Sequence, residues 1–193
     1  MTQVLVVAVL VLPASALAAK PSFDCAKAVS RVEQLVCRDD ALAKLDGRMV
    51  VLFRKAEESA PGERARIALR DAQRAWPQKR NACGRSADLR ACTLHAYRAR
   101  ISELQVQSGE ARSPMATLYD CGRLGTASVH YYLGTELPVA ALSFGVGQQE
   151  LAVAGSPDPG AAYEGPRHTL RNDGARALVS PRGQPDVVCA RKA

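Results

Sequence analysis

The six cysteines are the residues with the clearest chemical potential in this 193-residue chain. Cys25, Cys37, Cys83 and Cys92 lie in the first half, Cys121 and Cys189 in the second. None forms a Cys-x-x-Cys pair, which argues against thiol redox chemistry, and no Cys/His group has zinc-binding spacing. His95, His130 and His168 stand far apart with no motif around them. No serine occupies a Gly-x-Ser-x-Gly elbow. Gly145-Val146-Gly147 does not open a helix, so it reads as a hairpin turn and not a phosphate loop. The sequence therefore reads as a binding protein, not an enzyme, with no metal and no cofactor. What remains is Gly155-Ser156-Pro157-Asp158-Pro159-Gly160-Ala161-Ala162-Tyr163-Glu164-Gly165-Pro166. Its prolines stiffen the backbone, its glycines allow close approach, and Tyr163 offers an amphipathic anchor. Two uses fit it equally: a rigid loop that enters a partner's cleft, or a long structural turn with Tyr163 packed inward.

These residues need elements to position them, and the two halves of the chain differ in texture. Residues 20–107 carry helical periodicity. Val29, Val32 and Val36 fall on one stripe, and Leu42, Leu45, Met49 and Leu52 on the next, with Asp39 or Asp40 as its cap. Pro61-Gly62 breaks the pattern and Glu63–Arg80 resumes it. Pro77 should kink or end that helix near Trp76. Cys92, Tyr97, Ile101 and Leu104 mark a last helix. Residues 108–115 read as a polar linker. Beyond it, seven short strands are expected at 116–119, 128–133, 139–144, 150–154, 167–170, 177–180 and 187–189. The expected fold is α+β in two domains: a disulfide-bonded helical domain, then a small antiparallel β-barrel over 116–193. A Cys121–Cys189 bridge would close nearly all of the barrel and contribute on the order of 4 kcal/mol. Proximity favours Cys25–Cys37 and Cys83–Cys92, while crossed pairings stay open.

The N-terminus sets the compartment. An apolar run, Val4–Leu12, precedes Pro13 and the small-x-small pattern Ala16-Leu17-Ala18, so residues 1–19 read as a signal peptide. The run is too short to span a membrane, and no stable membrane insertion is expected. A periplasmic or secreted chain with six cysteines should hold three disulfides. The net charge of +7 is uneven: residues 19–110 carry 18 basic against 12 acidic side chains, residues 111–193 carry 8 against 7. The basic residues are interleaved with acids, not gathered in a stripe with aromatics, so nucleic acid is not an expected partner. Nothing in the sequence sets an oligomeric state.

Residues 22–105 resemble the LprI-like family of secreted lysozyme inhibitors. The residues that carry the resemblance are Phe23-Asp24-Cys25-Ala26-Lys27-Ala28, Glu33, Cys37, Leu42, Leu45, Asp46, Gln73-Arg74-Ala75-Trp76, Arg80, Cys83, Cys92, Tyr97, Arg100, Ile101 and Leu104. The second half resembles the MliC/PliC family of c-type lysozyme inhibitors, which are small antiparallel barrels. There the match is Tyr119-Asp120-Cys121, Gly160 to Gly165, Gly174, Ala177-Leu178 and Cys189. This second resemblance implies a loop that enters the lysozyme cleft, with a serine and a basic residue engaging two catalytic carboxylates. Pro159 stands at the serine position and Asp173 at the basic one; Ser156 and Arg171 are the nearest substitutes. The implied partner is c-type lysozyme, and the implied loop residues are Ser156, Pro159, Gly160, Tyr163 and Arg171. The alternative is an envelope module that binds peptidoglycan or another surface polymer.

Overall fold

The computed structural model describes residues 19–112, 114–145, 147 and 149–192. The expected signal peptide lies outside the described residues, except for Ala19. The first half holds four helices, α1 (Arg31–Val36), α2 (Asp40–Ser59), α3 (Glu63–Asn81) and α4 (Leu89–Gln107). Local signals set their starts. Ser30 and Glu33 form a reciprocal capping box on α1, and Asp39 accepts from Ala41 N and Leu42 N at the start of α2. Asp88 caps α4 through Ala91 N.

Two sequence expectations are revised here, one for a local reason and one for a tertiary reason. Val29 is 87% exposed, because the chain is not yet helical there and Ser30 is the cap. Pro77 does not end α3, which continues to Asn81. The proline removes one backbone donor, but buried Trp76 and Arg80 on either side tie the helix to its neighbours. Their packing core contains Val32, Val36, Leu42, Met49, Leu52, Leu69, Tyr97, Ile101 and Leu104.

The second half is a closed antiparallel barrel of eight strands. They are β1 (Thr117–Asp120), β2 (Thr126–Tyr132), β3 (Val139–Phe144), β4 (Glu150–Ala154), β5 (Tyr163–Glu164), β6 (His168–Asn172), β7 (Arg176–Pro181) and β8 (Val187–Arg191). Seven match expected segments to within about two residues at each end. The eighth, β5, was hidden: it is two residues long and sits inside the Pro/Gly-rich segment. It pairs with β4 through Val153 and Ala154, and with β6 through Leu170 and Thr169, so it completes the closure. The expected 12-residue loop is thus a shorter loop, 155–162, followed by a strand and a tight turn.

Three disulfides join Cys25–Cys37, Cys83–Cys92 and Cys121–Cys189, the sequential pairing and not a crossed one. The last closes a separation of 68 residues and ties the segment after β1 to β8 inside the barrel core.

The halves are not independent beads. The outer faces of β3 and β4 place Val139, Ala141 and Val153 against Ala99, Val106 and Ala111, together with Tyr132 and Leu137. Polar anchors accompany this contact. Ser102 Oγ accepts from Leu137 N at 2.8 Å, Gln105 Oε1 accepts from Glu136 N at 3.0 Å, and Arg98 donates to Glu136 O at 3.0 Å. Ser102 and Gln105 are both buried, so these bonds are made away from water, where breaking them is costly. Arg48 of α2 pairs with Glu136 on the same β2–β3 loop.

Candidate functional site

The predicted loop residues fall at one end of the barrel. Strands β4 and β6 both finish there, so the 155–162 loop and the β6–β7 turn share that end. The loop is closed at its neck by Gly155 N donating to Ala162 O at 3.0 Å. Inside it, Ser156 Oγ donates to Asp158 Oδ2 at 2.9 Å and accepts from Asp158 N at 3.3 Å. Ala161 N donates to Asp158 O, and Gly160 takes φ +84°, a left-handed value that favours glycine. Pro159 and Gly160 are exposed at the tip. This internal bonding makes the loop a compact, self-supporting projection.

Tyr163 lies at the foot of that loop, not on its tip. Its ring is half-buried and packs on Tyr131 at 5.7 Å between centroids. Tyr131 in turn reaches Tyr119, with 3.2 Å between the two hydroxyls. The barrel interior has room for three phenols because Ala127, Ala140 and Ala177 fill other inward positions. Burial pushes the Tyr131 and Tyr163 hydroxyls up, so both remain protonated donors at neutral pH. The structure therefore brings together Ser156, Pro159, Gly160 and Tyr163. Arg171 stands one residue past Leu170, the ladder partner of Tyr163, and is exposed on the outer face of β6.

The β6–β7 turn explains what Asp173 does. Its Oδ1 accepts from Arg176 N at 2.7 Å and its Oδ2 lies 3.4 Å from the Arg176 guanidinium. The Arg176 backbone bond is the main cause that holds this carboxyl below the usual range, and the Arg176 charge assists. Gly174 at φ +92° completes the turn. The acid at the expected basic position is thus already countered within its own turn.

The opposite end of the barrel contains a cluster that sequence reasoning missed. Glu150, 4% exposed, points inward from the start of β4. Its Oε1 accepts from Arg167 N at 3.0 Å and His168 N at 2.9 Å; its Oε2 accepts from Arg167 Nε at 2.7 Å. The His168 ring, 5.1 Å from Phe144, places Nδ1 3.2 Å from the same oxygen. Burial pushes the Glu150 carboxyl up, but these hydrogen bonds outweigh it and the net shift is downward. The cluster is a clamp: it ties β4 to β6 around the two-residue β5. Alternation along β4 was the only available signal, since it puts Glu150 in phase with buried Ala152.

The residues that carried the first-half resemblance also form an internal network. Arg80, 4% exposed, donates to the Tyr97 hydroxyl at 3.1 Å, and Tyr97 donates to Asp46 Oδ1 at 2.9 Å. Glu33 lies 3.3 Å from the same guanidinium, which is faced by the Phe23, Trp76 and Tyr97 rings at 5.3–6.0 Å. Gln73 Oε1 accepts twice from Arg100 at 3.1 Å. These residues build the helical fold; they do not form an exposed catalytic group. Among the described residues no group of three or more His, Cys, Asp or Glu side chains is placed to hold a metal. No helix of the described residues is long and apolar enough to cross a membrane. A groove of about 910 Å³ between the α2–α3 corner and the end of α4 has a mixed lining of small, apolar and polar residues, and contains none of the predicted site residues.

Comparison with known proteins covers the helical half. Lipoprotein LprI of Mycobacterium bovis is 34% identical over 100 residues, which are 52% of this chain and 49% of that protein. Lipoprotein LprI of Mycobacterium tuberculosis matches to the same extent. The chain spans about half the length of these curated relatives. No solved structure matches the chain significantly. Residues 25–110 match the family described as Lysozyme inhibitor LprI, and the four helices with their Arg80–Tyr97–Asp46 network are that matched region.

Proposed function

We propose that this chain is a periplasmic or secreted inhibitor of c-type lysozyme, which binds the enzyme and occludes its active-site cleft without catalysis of its own. The observation that carries the reading is the match of residues 25–110 to the lysozyme-inhibitor family. Support from the second half is geometric. A compact loop, 155–162, projects from a rigid closed barrel and is braced by the Tyr163–Tyr131 contact. Such a projection loses little conformational entropy when it enters a cleft. Ser156, Pro159 and Gly160 make the inserted surface, Tyr163 positions it from below, and Arg171 flanks its base. Three disulfides fit an oxidising extracytoplasmic compartment.

The test is competition for the cleft. Lysozyme saturated with chitotriose should bind the full chain at least tenfold more weakly than free lysozyme. Equal affinity would place the contact elsewhere on the enzyme and overturn occlusion.

The second reading is an envelope module that binds peptidoglycan or a similar polymer. Pro159 and Asp173, at the positions where the barrel resemblance implies a serine and a base, favour it. It predicts co-sedimentation of the full chain with purified peptidoglycan sacculi in the absence of lysozyme.

A further inference from the structure

Among the described residues, the end of the barrel that carries the 155–162 loop collects hydrogen-bond donors that no acidic side chain receives. Arg191 stands opposite Tyr119 across the β1–β8 ladder, and directly paired residues share a face. It is also in phase with Cys189, which is in the barrel core. Arg191 thus belongs to the inner side of the wall, at its rim. Tyr131 reaches the same Tyr119 through its hydroxyl, so Tyr119 links the two groups. The Arg191 backbone N donates to Ala175 O at 3.1 Å, which fixes this end of β8 against the β6–β7 turn.

The donors are not used up internally. Tyr119 and Tyr131 share a single hydrogen bond, so one of the two hydroxyl hydrogens remains available. Tyr163, the third member of the group, makes no hydrogen bond among the described residues, and the Arg191 guanidinium makes no ion pair there. The nearby acids are engaged elsewhere: Asp158 by Ser156, Asp173 by Arg176, and Glu164 by Thr169 at 3.0 Å. A guanidinium and two phenolic O–H groups on the inner side of one end of the barrel, without an acceptor among the described residues, have the chemistry of an oxyanion receptor.

We propose that the barrel mouth is a carboxylate-binding site formed by Arg191, Tyr163 and the Tyr119–Tyr131 pair, and that the carboxylate is an acidic side chain of the bound protein. The site itself stands on this geometry; only the source of the carboxylate rests on the inhibitor reading above. Engagement at the mouth would place the partner directly over the 155–162 loop, so loop and mouth would act as one surface.

The probe is N-acetyl-glutamate α-amide, a single side-chain carboxylate, titrated into the full-length protein and followed by the Arg191 Nε–H and Ala175 amide resonances. The expected result is a saturable shift with a dissociation constant on the order of millimolar. Arg191→Gln should weaken it at least tenfold and Tyr163→Phe several-fold. Lys44→Gln, an exposed charge on α2, should leave it unchanged, and the glutamine analogue of the probe should not bind. No saturable shift at tens of millimolar, or equal binding by Arg191→Gln, overturns the site. Lysozyme affinity separates the sources. A tenfold loss in Arg191→Gln supports a protein carboxylate, and unchanged affinity overturns that assignment. A chain that binds the probe but no lysozyme overturns the inhibitor reading while the site stands.

Discussion

Glu150 and Gly165 show how closely single residues are constrained. A β-carbon on Gly165 would meet Glu150 Oε1 inside van der Waals contact and lie 2.9 Å from His168 O. Gly165→Ala should therefore destabilise the protein by about 1–3 kcal/mol, the usual range for overpacking, as measured by urea unfolding. Glu150 makes a prediction with a sign. Its folded pKa is depressed below the ordinary 4.5, so the clamp contributes stability above that value and loses it as pH falls through the folded value. Glu150→Gln should flatten the acid limb of the stability–pH curve; an unchanged acid limb would remove the clamp from the account. In the helical half, Tyr97→Phe takes the donor from buried Asp46 and the acceptor from buried Arg80. The expected cost is about 1–3 kcal/mol in thermal or chemical unfolding.

At the scale of elements, α3 and β5 mark where local signals stop being sufficient. Pro77 was a sound reason to end a helix, yet α3 runs through it because Trp76 and Arg80 both pack on Tyr97 of α4. The tertiary contacts override a local penalty. Pro77→Ala restores a backbone donor at an exposed position and should stabilise the protein by about 1–3 kcal/mol. A loss of stability would mean that the proline stiffens something the helix needs. Strand β5 was illegible for the opposite reason. Two residues show no alternation, and their pairing is dictated by β4 and β6, not by their own composition. The Asp39 cap of α2, the short-range Cys25–Cys37 and Cys83–Cys92 pairs that proximity favoured, and the exact spans of β3 and β4 were legible, because each rests on a short local pattern; the start of α1 at Ser30 was not. Of the candidate site, the Pro/Gly-rich loop was legible, but the place of Tyr163 at its foot was not, nor was the Tyr131–Tyr119 pair, which Tyr163 joins only after the barrel closes.

For the whole molecule, the docking of α4 on β3 and β4 makes the helical half part of the barrel's stability. Ser102→Ala removes only the hydroxyl and leaves Leu137 N without its acceptor. Both halves should then lose protection in hydrogen exchange, first in the β2–β3 loop and the facing turns of α4. Loss confined to one half would mean that the two are energetically separate. The charge of +7 also has a consequence for a basic target such as c-type lysozyme. Long-range repulsion should slow encounter at low salt, so the association rate should rise as ionic strength increases toward 0.15 M. Local donors at the barrel mouth then act only after contact.

Lysozyme-driven lysis of bacterial cells, followed by turbidity with the intact disulfide-bonded chain added, tests the central claim most directly. The account predicts that lysis slows in proportion to the chain and stops near stoichiometric or micromolar excess. Lysis at the unimpeded rate under micromolar excess would contradict it.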